Sequence, residues 1–434
     1  MSVLNTRKIV VVGCGKLGAP LVGCLANSGH EVIGIDINEK LIKELNTGVV
    51  TWNEPGLKDL LVANMDRIKF QSSFHNAFSE AEMTFVIVPT PSLENGEFSN
   101  EFVIDAVSQI GREVSKSDLT NHIVVIVSTV MPGSTRGVIK DALIKSAGGN
   151  FSGLQICYSP EFIALGTVIR NMQYPDIILI GEEDKNSGEL LLEVSMSIAL
   201  NEPKVFRLTL EEAEISKIAI NSFVTTKISF SNQISEICER TKGTSAKNVL
   251  AAIGSDTRIG QSYLSSGTSY GGPCFPRDNR AFAKYASSIG LRAELSIATD
   301  GVNIRQNDRV LRIVEKLVPP GAKILVVGIA YKPDTDVVEE SPALAFIQGA
   351  SNLGLSVDAI DEFVSSARVG LAINVTTVSQ LMDSSYDAAI LFVPSKNYVD
   401  IPESLSSATK IIDLWGLWEN CKQGSYTRLG DYFA

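Results

Sequence analysis

Three histidines, three tryptophans and six cysteines in 434 residues leave little material for a metal centre or a disulfide framework. His30, His75 and His122 show no metal-ligand spacing, so no zinc or other metal site is expected. The cysteines, at 14, 24, 157, 238, 274 and 421, form neither a Cys-x-x-Cys pair nor a paired framework, which favours a reducing, cytoplasmic setting. No apolar run approaches the roughly 20 residues that span a bilayer, and Met1 to Val12 lacks the longer apolar segment of a secretory signal. Basic residues are outnumbered: 38 Lys and Arg against 49 Asp and Glu leave a net charge of -11. That balance argues against nucleic acid or an anionic membrane as a partner, and an anionic ligand would need a local cluster of donors. The length exceeds what one core serves, so two or three domains are expected.

What is present begins with a β-branched run, Lys8 to Val12, suited to a buried parallel strand. It leads into Gly13-Cys-Gly15-Lys16-Leu17-Gly18 and an apolar helical pattern through Leu25. A second strand, Glu31 to Ile37, carries Asp36. This is a dinucleotide-binding fingerprint in its required context of strand, glycine turn, helix, strand and acid. Glycines let the backbone approach a pyrophosphate at the helix N-terminus, and the acid accepts from a ribose 2′-hydroxyl. The acid favours NAD over NADP, because it repels a 2′-phosphate.

The alternation continues. Met83 to Val88 ends in Pro89-Thr90-Pro91, and Ile123 to Val127 ends in Ser128-Thr129-Val130-Met131-Pro132-Gly133-Ser134. Ligands bind outside the carboxyl ends of such strands, where Thr90 and Thr129 are placed; either could instead cap the next helix. Glu161, in Tyr158-Ser159-Pro160-Glu161-Phe162, faces either a ligand or solvent, and Pro175 to Ile180 reads as a further strand. From Leu210 to about Arg240 the apolar period becomes helical, too long for a connecting helix, and is read as a domain-linking spine and dimer surface. Lys217 and Asn221 lie four apart on one face of it; alone, Lys217 would be a solvated surface lysine.

A Gly- and Ser-rich segment, 254–272, contains Arg258, whose donor fork suits phosphate oxygens. It leads to Ser269-Tyr270-Gly271-Gly272-Pro273-Cys274-Phe275-Pro276-Arg277-Asp278. Pro276 suits the first position of a helix carrying Ala281, Phe282, Tyr285 and Ile289, with Gly290 past its end. A thiol at the positive end of a helix, beside Arg277, is favoured as thiolate. The alternative is a buried cysteine in a Gly-Pro turn, but the flanking glycines and charges make Cys274 the candidate nucleophile. After another helix, about Leu295 to Leu317, Pro319-Pro320-Gly321 reads as a linker. Strands at Lys323 to Val327, Val357 to Ile360, Ala388 to Val393 and Lys410 to Leu414 then repeat the first rhythm. The turn Gly328-Ile-Ala-Tyr331-Lys332 lacks the triple glycine, so a second dinucleotide is not expected there, although Lys332 and the turn amides could still hold part of another ligand. The fold class is α/β: two doubly wound Rossmann-like domains, 1–205 and 316–434, joined by a central helical domain, 206–315, with a long spine helix.

Taken together, these motifs resemble the UDP-glucose/GDP-mannose dehydrogenase family, NAD-dependent enzymes that oxidise the sugar 6-hydroxyl of a nucleotide sugar to a carboxylate. The resemblance covers nearly the whole chain: the glycine fingerprint, Val88 to Pro91, Ser128 to Val130, Pro160 to Phe162, Lys217 with Asn221, Asp256 to Gly260, and Gly271 to Asp278, in family order. It implies a homodimer made through the central helix and a C-terminal domain that holds the nucleotide. It implies that Cys274 attacks an aldehyde and passes through a thiohemiacetal and a thioester. Lys217 with Asn221 would stabilise the oxyanion, and Asp278, Glu161 and Thr129 would position or activate water. Around the cofactor it places Gly13, Gly15, Lys16, Leu17, Gly18, Asp36, Pro89, Thr90, Thr129 and Arg277. Around the nucleotide sugar it places Glu161, Phe162, Lys217, Asn221, Arg258, Tyr270, Gly271, Tyr331 and Lys332.

Two positions depart from the family pattern. Leu165 stands where an acid is frequent, and Glu339, in Thr335-Asp-Val-Val-Glu339-Glu-Ser-Pro342, stands where an arginine is usual. UDP-glucose to UDP-glucuronate is the first choice of reaction, with GDP-mannose and UDP-N-acetylhexosamines as alternatives. A single-step hydroxyacid-type NAD dehydrogenase would not need Cys274. A non-catalytic NAD or nucleotide-sugar sensor would not need Cys274, Lys217, Asn221 and Asp278 together.

Overall fold

The computed structural model describes residues 6–117, 121–148, 153–369, 374–375, 385–421 and 424–432. The chain divides into two compact units, Met1–Ala219 and Ile220–Ala434.

The first unit is built on eight strands: β1 (Lys8–Val12), β2 (Glu31–Ile35), β3 (Ile68–Gln71), β4 (Met83–Val86), β5 (His122–Ile126), β6 (Leu154–Tyr158), β7 (Ile177–Glu182) and β8 (Lys204–Leu208). Their order is β3-β2-β1-β4-β5-β6-β7-β8, so the chain reverses direction of travel between β1 and β4. All pairs are parallel except β6 with β7. The run Ile9-Val10-Val11-Val12 is continuous because both faces of β1 are covered. Ile9 and Val11 join the core beneath helix Gly18–Asn27, while Val10 and Val12 join the one beneath helix Glu101–Val114. Strand periodicity of two makes that split unavoidable. Sequence reading extended several strands too far, β2 to Ile37 and β4 to Val88, because apolar residues recur past the end of each ladder. It passed over β3 and β8 altogether; β8 is a short edge strand whose first three residues are exposed.

The spine helix runs Leu210–Glu239 and begins with a capping box. The Glu212 carboxylate accepts from the Thr209 amide at 2.9 Å, and the Thr209 hydroxyl accepts from the Glu212 amide at 3.3 Å. The second unit takes in the rest of this helix, helices Ala246–Gly254, Phe275–Ser288 and Glu294–Leu317, and a second sheet. That sheet comprises β9 (Lys323–Val327), β10 (Ser356–Ile360), β11 (Asn374–Val375), β12 (Ala388–Leu391), β13 (Lys410–Asp413) and β14 (Tyr426–Arg428), ordered β11-β10-β9-β12-β13-β14. It repeats the crossover order of the first six strands of the first unit, as the repeated rhythm implied. Pro319-Pro320-Gly321 lies between helix Glu294–Leu317 and β9. Among the described residues, no helix is long and apolar enough to cross a membrane.

His122 is one of the few histidines, and the fold gives it a structural task. It is fully buried at the start of β5, with Nε2 2.8 Å from the Thr84 hydroxyl and Nδ1 2.7 Å from the Ala81 carbonyl. Burial lowers its pKa to about 4, the Ala81 carbonyl opposing. The unfolded chain therefore takes up a proton below pH 6.5 that the folded chain refuses until about pH 4. Stability attributable to His122 is full above pH 6.5 and falls by about 3 kcal/mol on acidification to pH 4. Urea unfolding of wild type and His122→Gln across this range should show wild type losing stability relative to the variant; a pH-independent difference would contradict the assignment.

Candidate active site

The first turn of the first unit shows why each of its glycines is there. Gly13 has φ +96° and an added Cβ would lie 2.6 Å from the Ile87 carbonyl oxygen. A Cβ on Gly18 would lie 1.7 Å from the Gly13 carbonyl oxygen, so helix and turn could not close. Gly15 differs: an added Cβ meets nothing within 4 Å and the residue is exposed. The protein's own packing does not demand glycine there, whereas close approach of a pyrophosphate does. Asp36 follows β2 directly, its carboxylate accepting from the amides of Cys14 at 2.8 Å and Asn38 at 2.9 Å. Lys16 is half-buried, and Leu17 occupies the N-cap position of the following helix. The turn and its acid fit an NAD.

At the carboxyl ends of β4 and β5 the two threonines meet: the Thr90 hydroxyl donates to the Thr129 carbonyl at 2.7 Å. Thr90 is buried and Pro89 exposed beside it. The loop after Thr129 is held by an acid near the start of the spine helix. Glu214 is fully buried, and its carboxylate accepts from the amides of Gly133 at 2.5 Å and Thr135 at 2.9 Å. Its pKa is raised, burial outweighing those bonds. Only an acid whose partners lie about 80 positions away could do this, which no local spacing reveals.

Lys217, Glu161 and Phe162 do come together. Lys217 is not a solvated lysine: it is buried, its ammonium donates to the Glu161 carbonyl at 2.5 Å, and it lies 4.6 Å from the centre of the Phe162 ring. Glu161 also lines a cavity of about 50 Å³ with Leu21, Phe85, Pro160 and Met172. Glu161 is half-buried, and burial pushes its carboxyl up to about 7, with Lys217 pulling the other way. Leu165 packs against the core beneath helix Gly18–Asn27, where an apolar side chain is at home.

In the second unit, Cys274 stands at the N-cap position of helix Phe275–Ser288 and is exposed, whereas Cys14, Cys24, Cys157 and Cys238 are buried. The Asp278 amide donates to the Cys274 carbonyl at 2.8 Å, closing the first turn. The helix's buried side is polar near its start: Asp278 and Asn279 are both buried, the latter bonded to Ser222 at 2.8 Å. Asn221 donates to Asp278 at 2.6 Å. Arg277 lies 3.3 Å from Asp278, so its guanidinium is directed at that carboxylate. The apolar stripe expected on this helix is only partly realised, since Ile289 is exposed. Gly271 and Gly272 pass too close to other backbone and rings for any side chain: added Cβ atoms would lie 2.2 Å from the Glu340 carbonyl and 2.4 Å from the Tyr331 ring. Tyr270 is buried, and burial raises its phenol pKa, as it does for Tyr331, where Cys274 adds to the shift.

Arg258 is exposed and pairs with Asp256, Nη2 to carboxylate 2.6 Å. The turn amides after β9 are not free beside Lys332: those of Ile329 and Ala330 donate to Asp361 at 2.6 and 3.1 Å. Asp361 follows β10 as Asp36 follows β2, and it closes the second turn from within.

Three family models match in order: the NAD binding domain of the UDP-glucose/GDP-mannose dehydrogenase family at residues 7–198, its central domain at 211–305 and its UDP binding domain at 325–420. The chain is 32% identical to UDP-glucose 6-dehydrogenase AglM of Haloferax volcanii over 359 residues, covering 82% of this chain and 83% of that one. It is 31% identical to GDP-mannose 6-dehydrogenase of Pseudomonas putida over 371 residues, covering 83% and 82%. Among solved structures it is similar to a UDP-glucose dehydrogenase from Pyrobaculum islandicum, with a TM-score of 0.90, 27% identity and 99% of each chain covered. The glycine turn with its acid, the helix-capping cysteine and this agreement along the chain converge: the protein belongs to the UDP-glucose/GDP-mannose dehydrogenase family of NAD-dependent nucleotide-sugar 6-dehydrogenases.

Proposed function

We propose that this protein oxidises the 6-hydroxyl of a nucleotide sugar to a carboxylate in two steps, with UDP-glucose as the first substrate to test. The observation that carries the reading is the exposed Cys274 thiol at a helix N-cap, four residues before the buried Asp278. NAD, held by the Gly13 to Gly18 turn and Asp36, supplies the hydride acceptor for each two-electron oxidation. The alcohol loses its proton and a hydride to become an aldehyde. Cys274 thiolate adds to the aldehyde carbon, and the thiohemiacetal loses a second hydride and a proton to become a thioester. Water then cleaves the C–S bond, releasing the carboxylate and restoring the thiol. Covalent attachment keeps the aldehyde for the second oxidation instead of letting it escape.

Lys217 and Asn221 carry the oxyanion role, because a buried ammonium and a carboxamide four residues apart on one helix offer donors in low dielectric. Asp278 and Glu161, with Thr129, handle the water: a carboxyl poised near pH 7 takes a proton at physiological pH. Similarity to the Haloferax and Pyrobaculum UDP-glucose dehydrogenases and the UDP binding model favour a UDP sugar. Phe223, Phe230 and Ile237 are exposed at seven-residue intervals along the spine helix, which supports a homodimer packed along it.

The direct test is NADH formed per molecule of UDP-glucose, GDP-mannose and UDP-N-acetylhexosamine, with Cys274→Ser alongside. Two NADH per sugar, stalling in the variant, is the expected result; one NADH per sugar with an indifferent variant would leave a single-step dehydrogenase. No NADH from any of them, with thermal stabilisation by ligand, would leave a sensor. The pH profile supplies a second test. Glu161 must be ionised to accept a proton, so kcat should rise through an acidic limb near pH 7 that Glu161→Gln abolishes, at a cost of roughly 100-fold in kcat. A limb that persists in the variant would remove Glu161 from the role.

A further inference from the structure

Among the described residues, no strand pairs with the segment Gly267 to Gly272, which delivers the chain to Cys274. Side chains from two helices take a strand's place. Asn303, on helix Glu294–Leu317, grips one residue at both ends: the Tyr270 amide donates to its Oδ1 at 2.7 Å, and its Nδ2 donates to the Tyr270 carbonyl at 2.9 Å. One turn on, the Gln306 carboxamide donates to the Gly267 carbonyl at 2.6 Å, and the Ser269 hydroxyl donates to Asn307 at 2.6 Å. From the spine helix, Asn232 accepts from the Gly267 amide at 3.0 Å and donates to the Thr268 carbonyl at 3.1 Å. Asn303, Gln306 and Asn307 recur at positions i, i+3 and i+4, so one helix side is a row of carboxamides.

The opposite side of the segment is closed by the C-terminal sheet region. An added Cβ on Gly267 would lie 2.6 Å from the Trp415 ring. Gly271 abuts the Glu340 carbonyl, Gly272 lies under Tyr331, and the Gly272 amide donates to the Glu339 carbonyl at 3.0 Å. This explains how an acid is accommodated at 339: its backbone carbonyl meets the segment, a contact indifferent to the side chain. The segment is thus a rigid bracket, hydrogen-bonded on one side and sterically closed on the other, two residues from the thiol. Hydrogen bonds to both polar atoms of a peptide fix its position and its rotation together. A residue with only a packing role would need neither.

We propose that Asn303, backed by Gln306 and Asn232, is a positioning residue for the Cys274 chemistry, fixing Gly267 to Gly272 and thereby the thiol's place against the sugar. The proposal rests on the two-step reading above. Its test uses full-length wild type, Asn303→Asp, which keeps the acceptor for the Tyr270 amide and loses the donor to its carbonyl, and Asn303→Leu, which loses both. Turnover is normalised to Cys274 reactive with iodoacetamide, followed by mass spectrometry, so that misfolded protein drops out. Misplacing a reacting group by about 1 Å can cost roughly 100-fold. The expected result is a loss of about 10-fold in kcat per reactive thiol for Asn303→Asp and about 100-fold for Asn303→Leu, with the KM for NAD unchanged. Amide exchange at Tyr270 should accelerate in the same order. Lower melting temperature with unchanged kcat per reactive thiol would reduce Asn303 to a structural residue and overturn the proposal, as would unchanged exchange. A wild type inactive on every nucleotide sugar would instead sink the functional reading. The clamp would then be judged on exchange and on the Cys274 alkylation rate, where values equal to wild type in Asn303→Leu overturn it.

Discussion

The hydrogen bond from Asn221 to Asp278 is the contact on which the placement of Cys274 depends. Asp278 is almost wholly buried, and a buried polar group without hydrogen-bond partners is costly. Asn221 supplies one donor, and Arg277 adds a charge beside it. With Asp278 held, the first turn of its helix is held, since the Asp278 amide bonds to the Cys274 carbonyl. Ser222 and Asn279 repeat the tie one residue further along each helix. The thiol is therefore fixed to the spine helix by polar contacts, where a hydrophobic interface would leave the helix's rotation less defined.

The spine helix supports groups of different chemistry along its length. Glu214 secures the loop after β5, Lys217 reaches the Glu161 carbonyl, Asn221 holds Asp278 and Asn232 holds the segment before the cysteine. Further on, Glu239 and Arg309 form a buried ion pair at 2.5 Å, and the same carboxylate accepts from the Gly430 amide. Removing one partner of such a pair would leave an uncompensated buried charge. Its buried polar residues are shared between loops and neighbouring helices: Ser222 meets Asn279 and Ser296, and Ser229 donates to the Thr299 carbonyl.

What could be read from the sequence was local. The glycine turn, Asp36, the capping cysteine with Pro276 and the linker at Pro319 each announce themselves within about twenty residues, through backbone rules that do not depend on the rest of the fold. The two sheets followed from repetition of the same short apolar runs. What escaped is long-range. The carboxamides at 232, 303 and 306 look like ordinary helix-surface residues until the loop 30 to 40 positions away is laid against them. The pairing of Arg258 with Asp256 was not read either, because a donor fork says nothing of which acid it will meet. The amides after β9 looked available because their partner, Asp361, lies a whole strand later.

The central claim is that one thiol carries the sugar between two oxidations, and the intermediate itself is the place to look. Intact-protein mass spectrometry of Asp278→Asn, mixed with NAD and whichever nucleotide sugar the wild type consumes, tests it most directly. With hydrolysis slowed, the protein should gain the mass of the nucleotide-sugar acyl group, mapped to Cys274 and removed by hydroxylamine. Turnover by the wild type with no adduct on Cys274 in this variant or in Glu161→Gln, or with an adduct on another residue, would contradict the claim.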